Sequence, residues 1–213
     1  MKLVPSPPPP GFRESIAATY DAVAAQREEM GEASWRWPIA EQFLGMLRER
    51  GLSRMLEIGA GVGFTSRWFA DRGIDVVATD LSPGQVALCR GKGLEAHVRD
   101  MYRLDFPDES FGAVWMMNCI HHVPPGDLAG VLAGVAAVVQ PGGLVYLGVW
   151  GGVDEEGMPE DDFYQPPRYF CFRSDDTLLR VVGEEFDIIS FDTFFPEEGD
   201  DHLHMQSLVM ERR

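Results

Sequence analysis

The sequence predicts an α/β protein built on a largely parallel sheet with helices on both faces. Three observations carry this. Short apolar runs alternate with helix-patterned stretches between residues 55 and 185. A glycine-rich turn joins the first such run to the helix after it, and two strand-like runs with no helix between them close the chain. Those last two are expected to pair antiparallel.

The elements follow in order. Residues 1–12 are dominated by prolines between Pro5 and Pro10, which lack amide donors, so a flexible or extended arm is expected. Over residues 14–27, Ile16, Tyr20, Val23 and Ala24 recur at helical spacing and predict one helix. A second follows Pro38, with Ile39, Phe43, Met46 and Leu47 on one face and Gly51 placed to end it. Residues 55–58 read as a short buried strand, and 63–71 as a helix with Phe64, Trp68 and Phe69 inward. A strand at 75–79 leads to a helix at 83–90, where Ser82 is a suitable N-cap and Pro83 suits the first position. Strands are predicted at 95–98, 111–118 and 144–149, and helices at 128–139 and 175–185. Strands at 186–194 and 202–210 complete the sheet. The domain plan is an arm, 1–12, and one domain, 13–213. That domain comprises N-terminal helices (13–51) and a sheet core (52–213) carrying a loop insertion at 151–173, longer than a usual connection.

At 213 residues there is room for one compact domain, and 45% apolar content is that of an ordinary soluble globular protein. No apolar stretch approaches the roughly 20 residues that span a bilayer. Residues 1–12 lack the apolar core of a secretory signal, so a cytoplasmic location is expected. Cys89, Cys119 and Cys171 are far apart and form no Cys-x-x-Cys pair, which disfavours a disulfide or zinc framework. Cys119 sits in an apolar run and reads as a small buried residue. The net charge of −16 repels phosphate backbones and anionic membranes, so nucleic acid and membrane are poor partners. A small molecule, or a protein or peptide, fits that charge. Monomer and homodimer stay open.

The sharpest motif runs from Leu56 through Glu57, Ile58, Gly59, Ala60, Gly61 and Val62 to Gly63. Glycines at alternate positions let the chain turn sharply and let a ligand approach the backbone. A helix start here offers unpaired N–H groups to a polar ligand. The spacing is not the Gly-x-Gly-x-x-Gly of dinucleotide-binding turns, and Glu57 suits a cationic ligand better than a pyrophosphate. Asp80 ends the second strand, 17 residues after Gly63, where a carboxylate can accept both hydroxyls of a ribose. Asp100 and Met101, after the third strand, pair a carboxylate with an apolar side chain suited to an adenine. Three carboxylates thus fall at the carboxyl ends of three consecutive strands, where open α/β sheets bind ligands.

These motifs, with Asp80-Leu81-Ser82, the stretch from Asn118 to Pro124 and Gln140-Pro141-Gly142-Gly143, resemble those of the class I S-adenosylmethionine-dependent methyltransferases over residues 15–211. The resemblance implies a seven-stranded Rossmann-like sheet in the order 3-2-1-4-5-7-6, strand seven antiparallel, under an N-terminal helical lid. It implies S-adenosylmethionine as cofactor and S-adenosylhomocysteine as product. Gly59, Ala60, Gly61 and Gly63 would line the methionine part, with Glu57 helping to hold its amino group. Asp80 would take the ribose hydroxyls, Leu81 and Met101 would lie against the adenine, and Asp100 would accept its amino group. Asn118 and Cys119 would lie near the methyl group, and Tyr20 would close over the cofactor. The prolines at 5–10 have no counterpart in the family pattern.

His121 and His122 fall beside the expected methyl position and carry two readings, general base or loop-positioning residues. His202 and His204 share a strand face near Asp200 and Asp201; a metal site and ordinary packing are both weighed, and no metal is expected. In the insertion, Asp161, Asp162, Phe163, Tyr164, Arg168, Tyr169 and Phe170 suit either an acceptor pocket or a packed connection, and Trp35 and Trp37 are lid candidates. The leading expectation is methyl transfer to O, N or C of a small molecule. The alternatives are a non-methylating S-adenosylmethionine-binding or accessory protein, and a protein or peptide methyltransferase. A nicotinamide oxidoreductase disagrees with the glycine spacing and with Glu57.

Overall fold

The computed structural model describes residues 2–196 and 202–213. After β1 (Leu3–Pro5), helices α1 (Phe12–Ala22), α2 (Ala24–Met30) and α3 (Arg36–Glu49) precede the main sheet. Strands β2 (Arg54–Ile58), β3 (Asp75–Asp80), β4 (Glu95–Val98) and β5 (Phe111–Met117) then alternate with α4 (Phe64–Ala70) and α5 (Pro83–Gly91). A short 3-10 turn, Ile120–His122, leads to α6 (Leu128–Val138) and the long β6 (Val139–Gly151). Next come β7 (Glu155–Pro159), β8 (Phe170–Phe172), α7 (Asp175–Val182), β9 (Phe186–Phe194) and β10 (His204–Arg212).

Seven strands form the main sheet in the order β4-β3-β2-β5-β6-β10-β9. Counted within that sheet, the order is 3-2-1-4-5-7-6, as the motifs implied. Pairing is parallel from β4 to β6, and β10 runs antiparallel to both β6 and β9. Alternate residues of the central strands supply two cores, because side chains in a strand point to opposite faces in turn. Leu56, Ile58, Val114, Met116, Val145 and Leu147 pack on one face with α6 and α7. Met55, Ala113, Trp115, Met117, Leu144 and Tyr146 pack on the other, against Phe43 of α3 and Phe69 of α4. There the Trp115 and Tyr146 rings stack at 3.9 Å between centroids, with Phe43 at 5.5 Å from Trp115. Each such pair adds about 0.5–1.5 kcal/mol beyond its buried area. Ser82 caps α5 as expected, its hydroxyl accepting the Gln85 N–H at 3.1 Å.

Two expectations need correction. The helix predicted over 14–27 is two helices, broken at Val23 (φ −106°, ψ 8°). The break lets both rest on α5: Asp21 Oδ1 accepts Ser82 Oγ at 2.9 Å and the Gly84 N–H at 2.5 Å, and Glu28 pairs with Lys92 at 2.6 Å. The arm is not free, nor is the insertion a plain loop. They combine in a second sheet, ordered β1-β7-β8. Val4 pairs with Met158, and Gly157, at φ +153°, lets the strands close: a Cβ there would lie 2.1 Å from Val4 O. No helix among the described residues is long and apolar enough to cross a membrane.

Candidate functional site

One cavity opens at the carboxyl ends of β2, β3, β4 and β5, roofed by α1 and α2. Of the residues singled out in the sequence, Tyr20, Glu57, Gly59, Ala60, Gly61, Asp80, Leu81, Asp100, Met101, Asn118, Cys119 and His122 line it. Gly63 and His121 do not.

The turn after β2 is held from within. Ala60 N–H donates to Thr79 O at 2.9 Å, Gly61 N–H to Asp80 Oδ2 at 2.8 Å, and Gly63 N–H to Ala60 O at 3.0 Å. Those three donors are spent on the turn itself. Gly59 (φ +71°) faces Cys119 so closely that a Cβ would meet the Cys119 Cβ at 2.6 Å. Gly63 (φ +85°) packs instead on Cys89 and Leu94 beneath α5, a Cβ there falling 2.7 Å from Cys89 Sγ.

The carboxylates differ in setting. Glu57 is 3% exposed and accepts a short hydrogen bond from Ser66 Oγ. Burial pushes its pKa up to about 8, against the opposing pull of that bond. Asp80 accepts backbone N–H groups at both oxygens, from Gly61 and from Ser82 at 2.8 and 2.9 Å, yet burial still raises its pKa. Asp100 accepts the Tyr102 N–H at 3.0 Å and pairs with Arg13 of α1 at 2.6 Å. The Arg13 guanidinium also lies 4.6 Å from the Tyr102 ring centre. Asn118 (φ +54°) donates its N–H to Gly148 O, while its buried Oδ1 has no hydrogen-bond partner among the described residues. Gln85 Oε1, a further lining atom, is equally unmatched.

The two histidines part company. His122 Nδ1 lies 2.7 Å from Tyr169 O, and its Nε2 lies 2.9 Å from Tyr20 Oη. Burial lowers its pKa to about 4. His121 stacks on Phe170 at 5.2 Å, its Nδ1 has no partner among the described residues, and burial holds its pKa well below the usual imidazole range. Its surroundings are those of a packed residue.

Sequence reading missed most of the roof. Phe12, Arg13, Ile16, Arg27, Glu32 and Arg36 line the cavity, while the lid candidates Trp35 and Trp37 pack on Phe194 and Trp68. Arg36 is largely buried beside Glu32 at 3.0 Å, and burial lowers its pKa. Its one sequence signal is a cation between aromatic residues in an acidic chain. No residue of 151–173 lines this cavity: the insertion is a packed connection, with Phe163 alone of its aromatics strongly exposed, at 80%. It reaches the site only indirectly, through Tyr169 O and through Arg168. His204 pairs with Asp175 at 2.8 Å and His202 with Glu155 at 3.3 Å. Asp200 and Asp201 lie outside the described residues, among which no group of three or more metal-ligating side chains forms.

Residues 56–147 match the model of a methyltransferase domain. The chain is 31% identical over 117 residues to a ubiquinone biosynthesis O-methyltransferase of Xanthomonas oryzae pv. oryzae, covering 52% of this chain and 48% of that one. It is 30% identical over 135 residues to a malonyl-acyl-carrier-protein O-methyltransferase of Salmonella typhimurium, covering 62% of this chain and 52% of that one. It thus spans about half the length of these curated relatives. In fold it is similar to a Burkholderia thailandensis 1,6-didemethyltoxoflavin-N1-methyltransferase solved with S-adenosylhomocysteine (TM-score 0.70, 19% identity, 99% of this chain and 94% of that one). It is equally similar to the cyclase SpnF (TM-score 0.71, 18% identity, 99% of each chain). In its sheet order and in the methyltransferase domain matched over residues 56–147, the chain is similar to the class I S-adenosylmethionine-dependent methyltransferases.

Proposed function

We propose that the protein binds S-adenosylmethionine in this cavity and transfers its methyl group to an O, N or C nucleophile of a small molecule. One observation carries the reading: the cavity gathers hydrogen-bond acceptors, among them Glu57, Asp80, Asp100 and the unmatched Asn118 Oδ1. That set fits a ligand rich in donors, with an ammonium, ribose hydroxyls and an adenine amino group. Arg36 fits the one anionic group such a ligand carries, a carboxylate. When bound, the sulfonium supplies an activated methyl carbon. The chain's part is to hold, orient and exclude water. Gly59, Ala60 and Gly61 let the methionine portion lie against the backbone, and Gly63 supports them from behind. Glu57 faces the ammonium, Asp80 the ribose, Asp100 the adenine amino group, and Leu81 and Met101 the adenine ring. Asn118 and Cys119 would border the methyl group, with His122 beside them and Tyr20 closing over the cofactor. Positioning by itself can supply much of the rate of an in-line transfer.

The acidic surface favours a neutral or cationic small molecule over nucleic acid or an anionic membrane, and three free, buried cysteines suit the cytoplasm. A second reading, a binding or accessory role without methyl transfer, draws on the lowered pKa of both histidines, which leaves neither an ordinary base. Calorimetric titration with S-adenosylmethionine and S-adenosylhomocysteine tests the cofactor site. Micromolar binding, lost in Asp80→Ala, is the expected result. Absence of binding by the intact chain would sink the reading, and binding without turnover of any acceptor would favour the second.

A further inference from the structure

Gln85, the third residue of α5, brings to the cavity wall a buried acceptor with no partner among the described residues. The residue is 2% exposed, and the unmatched atom is Oε1. The sequence Ser82-Pro83-Gly84-Gln85 has the form of a capping box, in which the glutamine side chain turns back to accept the N–H of the capping serine. Half of that box forms, since Ser82 Oγ accepts the Gln85 N–H at 3.1 Å. The reciprocal half does not, because the Ser82 N–H donates to Asp80 Oδ1 at 2.9 Å. Asp80 takes the bond that Gln85 would make, and the glutamine side chain extends instead between the turn after β2 and helix α1.

The orientation of this amide follows from its two neighbours. Nε2 lies 3.5 Å from Tyr20 O, which only accepts, so the oxygen is the atom that faces Gly61. A Cβ on Gly61 would lie 3.0 Å from that Oε1, so the close approach suits glycine. The contact to Tyr20 O is long, which leaves the amide loosely held and free to turn toward a ligand lying on the turn. The Gly61 N–H in its turn donates to Asp80 Oδ2 at 2.8 Å. Asp80 and Gln85 therefore flank one glycine from the same strand–helix junction. The carboxylate already accepts two N–H groups, and the amide oxygen accepts none. Glu57 sits apart on β2, bonded to Ser66 of α4.

We propose that Gln85 Oε1 accepts a hydrogen bond from one ribose hydroxyl of the cofactor while Asp80 accepts from the other, which makes Gln85 a specificity-determining residue for the intact ribose. This rests on S-adenosylmethionine binding in the cavity and deepens that reading. A hydroxyl is the donor that fits the place. The ammonium lies with Glu57 on β2 and the adenine amino group with Asp100 beyond β4, whereas Gln85 shares its glycine with the carboxylate that faces the ribose. A buried carbonyl oxygen left unpaired is costly, and a ligand hydroxyl relieves that cost only in the complex. A site built to bond a hydroxyl therefore discriminates against an analogue that lacks it. An amide also accepts here without placing a second negative charge beside Asp80.

The test is calorimetric titration of the full chain with S-adenosylhomocysteine and with its 2′-deoxy and 3′-deoxy analogues. The intact chain should bind each deoxy analogue about tenfold more weakly than the parent compound. Gln85→Met keeps the length of the side chain and removes the oxygen. It should bind S-adenosylhomocysteine about tenfold more weakly than the intact chain does, yet match the intact chain within about threefold for one of the two deoxy analogues. Its ligand-free Tm should equal or exceed that of the intact chain, because the unmatched acceptor is gone. An unchanged affinity for S-adenosylhomocysteine overturns the assignment, and so does an equal loss for all three ligands, which is what a purely structural role would give. Gln85→Asn, which draws the amide back by one methylene, should show the same selective loss, and decides the matter if Gln85→Met fails to fold. Indifference of the intact chain to both missing hydroxyls also overturns the proposal. Failure of the intact chain to bind S-adenosylhomocysteine at all would instead count against the cofactor reading itself.

Discussion

Glu57 shows how one residue links burial to ligand binding. Its carboxyl is pushed up to about 8 by burial, so the ligand-free protein holds it protonated at neutral pH. In the unfolded chain the same group releases its proton near its ordinary value of 4.5. Between those values the folded state binds the extra proton, so stability falls as pH rises from about 4.5 through about 8. Denaturant unfolding at pH 5 and pH 8 should show that decline, and Glu57→Gln should reduce it by a few kcal/mol, each pKa unit corresponding to about 1.4 kcal/mol. An ammonium placed beside Glu57 should reverse the shift. Titration of S-adenosylhomocysteine near pH 7 in buffers of different ionisation enthalpy should then report proton release, absent in Glu57→Gln. Gly59 makes a second case. Its positive φ, and the 2.6 Å that would separate an added Cβ from the Cys119 Cβ, mean that Gly59→Ala must displace either the turn or the end of β5. A loss of about 1–3 kcal/mol in unfolding free energy, with weakened S-adenosylhomocysteine binding, is expected from denaturation and calorimetry.

Among the elements, the small sheet is the least expected from local pattern. Residues 3–5 look like part of a proline-rich arm, and 155–159 like part of an acidic loop; 3–5 become a strand by pairing with 155–159, which pair on their other edge with 170–172. Gly157 is where the two approach most closely. Gly157→Ala should unpair β1 while sparing the main sheet. Hydrogen exchange at Leu3 and Val4 should accelerate, with amides of β2 and β5 unchanged. Helices α1 and α2 behave similarly: their apolar spacing was legible, but the break at Val23 follows from docking on α5 through Asp21 and Glu28. Within the main sheet, by contrast, apolar runs bounded by turn residues located every strand, although β6 begins at Val139, five residues before the 144 expected. The inner strands β2, β3, β5 and β6 are largely buried on both faces, so their composition is dictated locally, whereas the edge strands β4 and β9 are half exposed.

At the scale of the molecule, a net charge of −16 acts on the compact state as self-repulsion. Added salt screens it over a Debye length of about 10 Å at 0.1 M. The Tm should therefore rise as sodium chloride is increased from low ionic strength toward 0.5 M. A fall would mean that specific surface pairs such as Arg54–Asp75 outweigh the repulsion.

The sequence by itself determined the sheet, its order through family motifs, and the strand ends at which Glu57, Asp80, Asp100 and Asn118 meet. Such features reside in short segments, where hydrophobic period and turn chemistry are readable residue by residue. Only the tertiary structure decided which side chains of the expected N-terminal helical lid meet the cavity and what polarises it. Arg13 reaches Asp100 across 87 positions, Tyr20 reaches His122 across 102, and Arg168 reaches Tyr20 across 148. Contacts of that separation leave no periodic trace. They arise when packed elements bring donors and acceptors into a space without water, where each buried polar group must find a partner.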